Sequence, residues 1–151
     1  MMFLIASLAY AQAVATELER CIALPDDLAA LECVYSVEGS TGEAMGARNF
    51  ELVNVLGEWD GTGQPDGTDS ENAAQEAFID SASAWIDSRN ASCRFETILQ
   101  EIDSRLAFLA CRARMNAERV VHIESYLRRL AAPGGLSETD PLSISQAEKN
   151  P

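Results

Sequence analysis

A chain of 151 residues with 47% hydrophobic and only 7% aromatic side chains has the size of one domain. Its Ala- and Leu-rich character, with few β-branched runs, favours helices packed on helices over a sheet. A formal net charge of −13 argues against nucleic-acid binding, because no basic stripe is present to release phosphate counterions, and it disfavours an anionic membrane surface for the same reason.

The charge is lopsided. Residues 1–80 hold 15 acids and 2 bases, a net of −13, whereas residues 81–151 hold 9 of each. The acidic half is the natural place to meet a basic partner, and the plainer account is that acidity keeps the protein soluble.

The chain opens MMFLIASLAYAQA, an apolar run from Met2 to Ala9 followed by small residues at Ala11 and Ala13 in the A-x-A arrangement of a signal-peptidase site. No Lys or Arg precedes the run, which is too short to span a bilayer as a helix. The expectation is a signal peptide over 1–13, a periplasmic or secreted mature protein, no membrane association after cleavage, and four cysteines paired as two disulfides. The alternative is a buried amphipathic first helix.

A short helical segment from Thr16 to Leu24 carries Cys21; Pro25 interrupts it, and Asp26 or Asp27 can accept backbone N–H bonds at the start of the next helix, LAALECVYSV. Cys21 and Cys33 lie nearly symmetrically about this turn, so a helical hairpin brings them level. They are the first choice among the three connectivities. Gly39 to Gly42 breaks the pattern, and a third helix is expected from Glu43 to Leu56 with Phe50, Val53 and Leu56 inward and Gly57 at its end.

Residues Asp60 to Ser70, DGTGQPDGTDS, read as a surface loop. The Asp60 to Glu71 span has the length of an EF-hand loop. However, Pro65 stands where the sharp turn needs Gly, and Thr62 and Gln64 stand where carboxylates belong.

Ser70 can cap a long helix from Glu71 to about Arg94. Within it, Phe78, Ala82, Trp85, Ile86, Arg89 and Cys93 follow one another at spacings of four, three, one, three and four, which puts all six on one face. Arg89 and Arg119 are assigned to ion pairs fixing the two long helices together, and Trp85 to the core between them. A last helix from Ser104 to Leu130 has an apolar row of Leu106, Leu109, Ala113, Val120, Ile123, Leu127 and Leu130, with Asn116 the polar intruder. A hairpin turning at Ile102 joins Cys93 to Cys111. Residues 132–151, with Pro and Gly at the helix exit and no apolar period, read as a disordered tail.

Catalytic chemistry finds little material. His122 is the only histidine, with Glu118 one turn before it, and the cysteines are too widely spaced for a zinc site. Carboxylate pairs such as Asp26/Asp27 and Glu101/Asp103 arise by chance in so acidic a chain. No cofactor, metal or catalytic residue is assigned.

The element W-I-x-x-R-x-x-x-C, on Trp85, Ile86, Arg89 and Cys93, is preceded by Gln75 and followed by Cys111, Met115, Asn116 and Arg119. In this pattern Gln75 to Leu127 resembles the LprI-like lysozyme inhibitor family, and Cys21, Cys33 and Tyr35 look like that family's N-terminal cysteine pair. Asn116 stands where the family usually has Thr. The resemblance implies a small exported helical domain and supplies no catalytic residue.

The expected whole is an all-α bundle stapled by two disulfides with a long C-terminal helical hairpin over 14–131. It is expected to be a monomer that binds a basic lysozyme by protein contact. A cell-envelope structural or stress module is the second reading, and a small-ligand or calcium binder using the Asp60 to Glu71 loop the third.

Overall fold

Two aspartates set where helices begin. Asp26 Oδ1 accepts a hydrogen bond from the backbone N–H of Ala29 at 2.7 Å, and Asp103 Oδ1 accepts from Arg105 and Leu106 at 2.9 and 3.0 Å. Each satisfies N–H groups that a helix start leaves without intrahelical partners. The computed structural model describes residues 2–58, 73–100 and 103–132, with side chains from Ala9 onward. They form α1 (Met2–Ile22), α2 (Asp27–Glu58), α3 (Ala73–Leu99) and α4 (Ser104–Ala131). No described residue lies in a strand, so the fold is the expected all-α bundle. No helix among the described residues is long and apolar enough to cross a membrane.

Both expected disulfides are present. Cys21–Cys33 ties α1 to α2 and Cys93–Cys111 ties α3 to α4, with Cα atoms 5.4 and 5.5 Å apart. The helices beside each short connection therefore run antiparallel. Helices α2 and α4 run parallel, as three cross-links that ascend together along both helices show. Glu38 pairs with Arg112 at 2.8 Å, Thr41 meets Asn116 at 3.5 Å, and Arg48 pairs with Glu124 at 3.3 Å.

Helix α4 packs against all three others, and α1 and α3 lie either side of the α2/α4 pair without touching each other. Because neighbours surround it, α4 is buried nearly all round: Ala107, Leu109, Ala110, Cys111, Ala113, Asn116, Ala117, Arg119, Val120 and Ile123 are all buried. The core formed with α1 and α2 contains Val14, Leu18, Cys21, Val34, Leu109, Ala110, Ala113 and Ala117.

Three sequence expectations are corrected. The first helix is longer than Thr16 to Leu24, beginning at Met2. The break at Gly39 to Gly42 does not exist: α2 runs through it for 32 residues, so no separate third helix starts at Glu43. Glycine in a helix costs only about 1 kcal/mol against alanine. The burial of Thr41, which meets Asn116 of α4, and of Met45 offsets that preference. The Ser40 and Thr41 hydroxyls bond back to the carbonyls of Val37 and Glu38, both at 3.0 Å, which leaves neither unsatisfied. Finally, Phe50 points outward at 70% exposure, and Leu52, at 2%, takes the inner position.

A Cβ built on Gly39 or Gly46 meets nothing within 4 Å. Gly39→Ala and Gly46→Ala are accordingly expected each to raise stability by about 0.5–1 kcal/mol through the unfolded chain's lost freedom. Urea midpoints check this, and a lowered midpoint for either variant would contradict it.

Candidate functional site

Helix α3 is the least buried of the hairpin's partners, with only Arg89 and Cys93 fully inside. It is held to α4 by three kinds of contact. The first is the Cys93–Cys111 bond, beside which Met115 Sδ lies 3.6 Å from Cys93 Sγ. The second is a bidentate pair on the exposed edge, where an Arg114 nitrogen donates to both Glu96 oxygens at 2.8 Å. The third is a row of aromatic and guanidinium groups. Arg89 lies 5.5 Å from the Trp85 ring centre, Arg119 lies 5.4 Å from the same ring, and Arg119 is 5.7 Å from Phe78. All are within the reach of cation–π attraction.

Neither arginine makes an ion pair with a described residue, which corrects the sequence-based assignment. Arg89, 5% exposed, donates to Asn116 Oδ1 at 2.6 Å and to Asn90 Oδ1 at 3.0 and 3.2 Å. Asn116 is fully buried and turns its amide nitrogen toward Thr41. The polar intruder in the apolar row of α4 is thus the partner of Arg89. Burial, and then the nearby Arg112 charge, push the Arg89 pKa down, while Glu38 acts the other way. Burial likewise lowers that of Arg119.

The other motif residues fall as follows. Gln75 Nε2 donates to the Val53 carbonyl at 3.0 Å and fixes the start of α3 against the end of α2. Gly57 leaves room for it, since a Cβ there would meet the same nitrogen at 2.7 Å. Trp85 is half-buried, bracketed by arginines. Ile86 is 37% exposed and lies off the covered face, because α3 is covered only along a narrow stripe.

Below this row, at the end of the bundle where α2 and α4 finish and α3 begins, is a pocket of about 280 Å³. Leu52, Leu56, Ala77, Phe78, Ser81, Arg119, Tyr126 and Leu130 line it. Its walls are apolar apart from Arg119 and two hydroxyls. The sequence marked Arg119 but not the cavity, whose walls come from three helices.

His122 is exposed and stacks on Tyr126 with ring centres 4.9 Å apart. Partial burial, then the charges of Arg119 and Arg129, lower its pKa, so the ring favours the neutral form. The cluster of Glu17, Cys21 and Cys33 offers a metal only one carboxylate, since the two sulfurs are bonded to each other. The Asp60 to Glu71 loop considered for calcium, its Ser70 cap, and the proposed tail beyond Ala132 lie outside the described residues.

The geometry defines a disulfide-stapled helical bundle whose most specific sequence element clasps α3 to α4. Residues 55–122 match the family model described as Lysozyme inhibitor LprI, and this segment contains Gln75, Trp85, Ile86, Arg89, Cys93, Cys111 and Arg119. The match bears out the resemblance read from the W-I-x-x-R-x-x-x-C element. No curated protein and no solved structure gives a significant match to the chain.

Proposed function

We propose that this protein is exported and inhibits a basic lysozyme by protein–protein contact, without catalysis of its own. The observation that carries the reading is the family match over residues 55–122. Charge supports the place of contact. On α1 and α2, Glu19, Asp27, Glu32 and Glu43 are exposed and have no ion-pair partner among the described residues. The two arginines of those helices are already engaged, Arg20 with Glu17, and Arg48 with Glu51 and Glu124.

A rigid acidic face of this kind steers toward a cationic enzyme and can cover an open cleft in which glycan is cut by two carboxylates. Export through residues 1–13 agrees with the two disulfides, which persist in oxidising compartments. The buried core side chains of α1, Val14, Leu18 and Cys21, all follow the proposed cleavage point, and the half-buried Tyr10 and Ala11 that precede it pack against the same core. The mature chain then acts as a monomeric domain over 14–131 with a tail over 132–151.

The test is lysis of a cell-wall suspension by a basic lysozyme, followed by turbidity with and without the oxidised protein. Lysis is expected to slow at low salt and to recover as added salt shortens the Debye length from about 30 Å at 0.01 M to about 8 Å at 0.15 M. Glu32→Lys combined with Glu43→Lys is expected to weaken inhibition several-fold. Undiminished lysis at low salt under a large molar excess would remove the inhibitor reading.

A further inference from the structure

We propose that the pocket at the α2/α3/α4 end is a binding site for a small amphiphile with one carboxylate and an apolar body, a medium-chain carboxylate being the simplest member of that class. Three observations carry this.

The cavity, about 280 Å³, holds the equivalent of roughly nine waters at about 30 Å³ each, and lies near the lower end of the size range of small-molecule sites. Leu52, Leu56, Phe78 and Leu130 give it an apolar lining that would gain nothing from water. Arg119 is the one charged group in the wall, and it is only 8% exposed.

The guanidinium of Arg119 has its ring neighbours, Phe78 and Trp85, but no hydrogen-bond acceptor among the described residues, and its Nε is buried without a partner. Ring contacts attract the charge and supply no lone pair to the N–H fork. A buried N–H with no acceptor is costly, and the rest of the Arg119 fork makes no hydrogen bond to a described residue that would hold it in place. A carboxylate is the group whose two oxygens match that fork. Arg89 makes the contrast clear: it has the same aromatic neighbour in Trp85, but its donors are used internally by Asn116 and Asn90.

A carboxylate on Arg119 places its chain among the leucines and Phe78, with the Ser81 and Tyr126 side chains also in the wall. The site does not depend on the lysozyme reading, since it lies at the α2/α3/α4 end and includes none of the exposed acids Glu19, Asp27, Glu32 and Glu43.

The experiment is isothermal titration calorimetry of the full oxidised chain with octanoate, octan-1-ol and acetate. Octanoate is expected to bind saturably at one site, with octanol and acetate each at least tenfold weaker, since each lacks one half of the recognised chemistry. Arg119→Met is expected to lose at least tenfold for octanoate and little for octanol. Because that variant alters a buried position, Ala77→Leu is the companion: Ala77 is exposed on α3 and lines the pocket, so the larger side chain fills the cavity while melting stays unchanged. Ala77→Leu is expected to abolish octanoate binding. No binding of octanoate, equal binding of octanoate and octanol, or wild-type binding by a folded Ala77→Leu would each overturn the assignment.

Discussion

Replacing Cys93 and Cys111 together by alanine is expected to lower stability by about 3 kcal/mol and to loosen α3 selectively. The bond closes a loop with a sequence separation of 18, for which the chain-entropy account gives roughly 3 kcal/mol. The location of the loss is the more telling expectation. Helix α4 is buried on nearly every side, whereas α3 has only Arg89 and Cys93 fully buried and exposes Ile79, Ile86, Phe95, Ile98 and Leu99. An element with so little apolar surface inside depends on its covalent tie, and such elements open below the global free energy. Amide hydrogen exchange read by segment checks it: protection over residues 73–99 should fall in the double variant well before protection over 104–131. Equal loss in both helices would show that α3 is held by its side-chain row, with the disulfide adding only to the global term. The corresponding change at Cys21 and Cys33 should not show this selectivity, since α1 also buries Val14 and Leu18 in the common core.

The hairpins, the cap at Asp26 and both bridges could be read from the chain because each rests on short-range geometry. Asp26 sits where a helix start needs an acceptor, and cysteines equidistant from a turn come level when the turn closes, whereas the matching cap at Asp103 goes unread in the sequence as one of a chance carboxylate pair. The error at Gly39 to Gly42 has the opposite origin. A glycine pair carries a local cost of about 2 kcal/mol, and a row of buried side chains spread over a whole helix outweighs it. That row, Ala30, Val34, Thr41, Met45 and Leu52, steps four, seven, four and seven through the glycines without losing phase. Its polar third member hid it. Restarting the phase after Gly42 is what turned Phe50 inward on paper when Leu52 is the residue at the core. In α3, periodicity found the stripe but overstated its width, because how much of a helix is covered depends on how many neighbours it has. The partners of Arg89 and Arg119 were beyond local reach: an amide across the helix pair and two aromatic rings take the place of carboxylates.

Arg89→Met is expected to cost about 3 kcal/mol, and most of that cost should lie in what it does to Asn116. The wild-type contact is a 2.6 Å hydrogen bond from a guanidinium to an amide oxygen that has no exposure to water. Removing the donor leaves that oxygen buried and unpaired, at about 1–3 kcal/mol. The loss of a hydrogen bond to a charged group and of the Trp85 contact comes in addition. Methionine retains much of the apolar stem, so cavity formation is a minor part of the change. The distinguishing measurement is the double variant Arg89→Met with Asn116→Leu. If the cost resides in an orphaned amide, removing both partners restores at least 1 kcal/mol relative to the sum of the single changes, because no unsatisfied group remains. Strict additivity would instead mean that Arg89 contributes through its stack on Trp85 alone. In either case Arg89 serves the fold, whereas Arg119, with the same aromatic neighbour and no acceptor, retains a donor fork for a ligand.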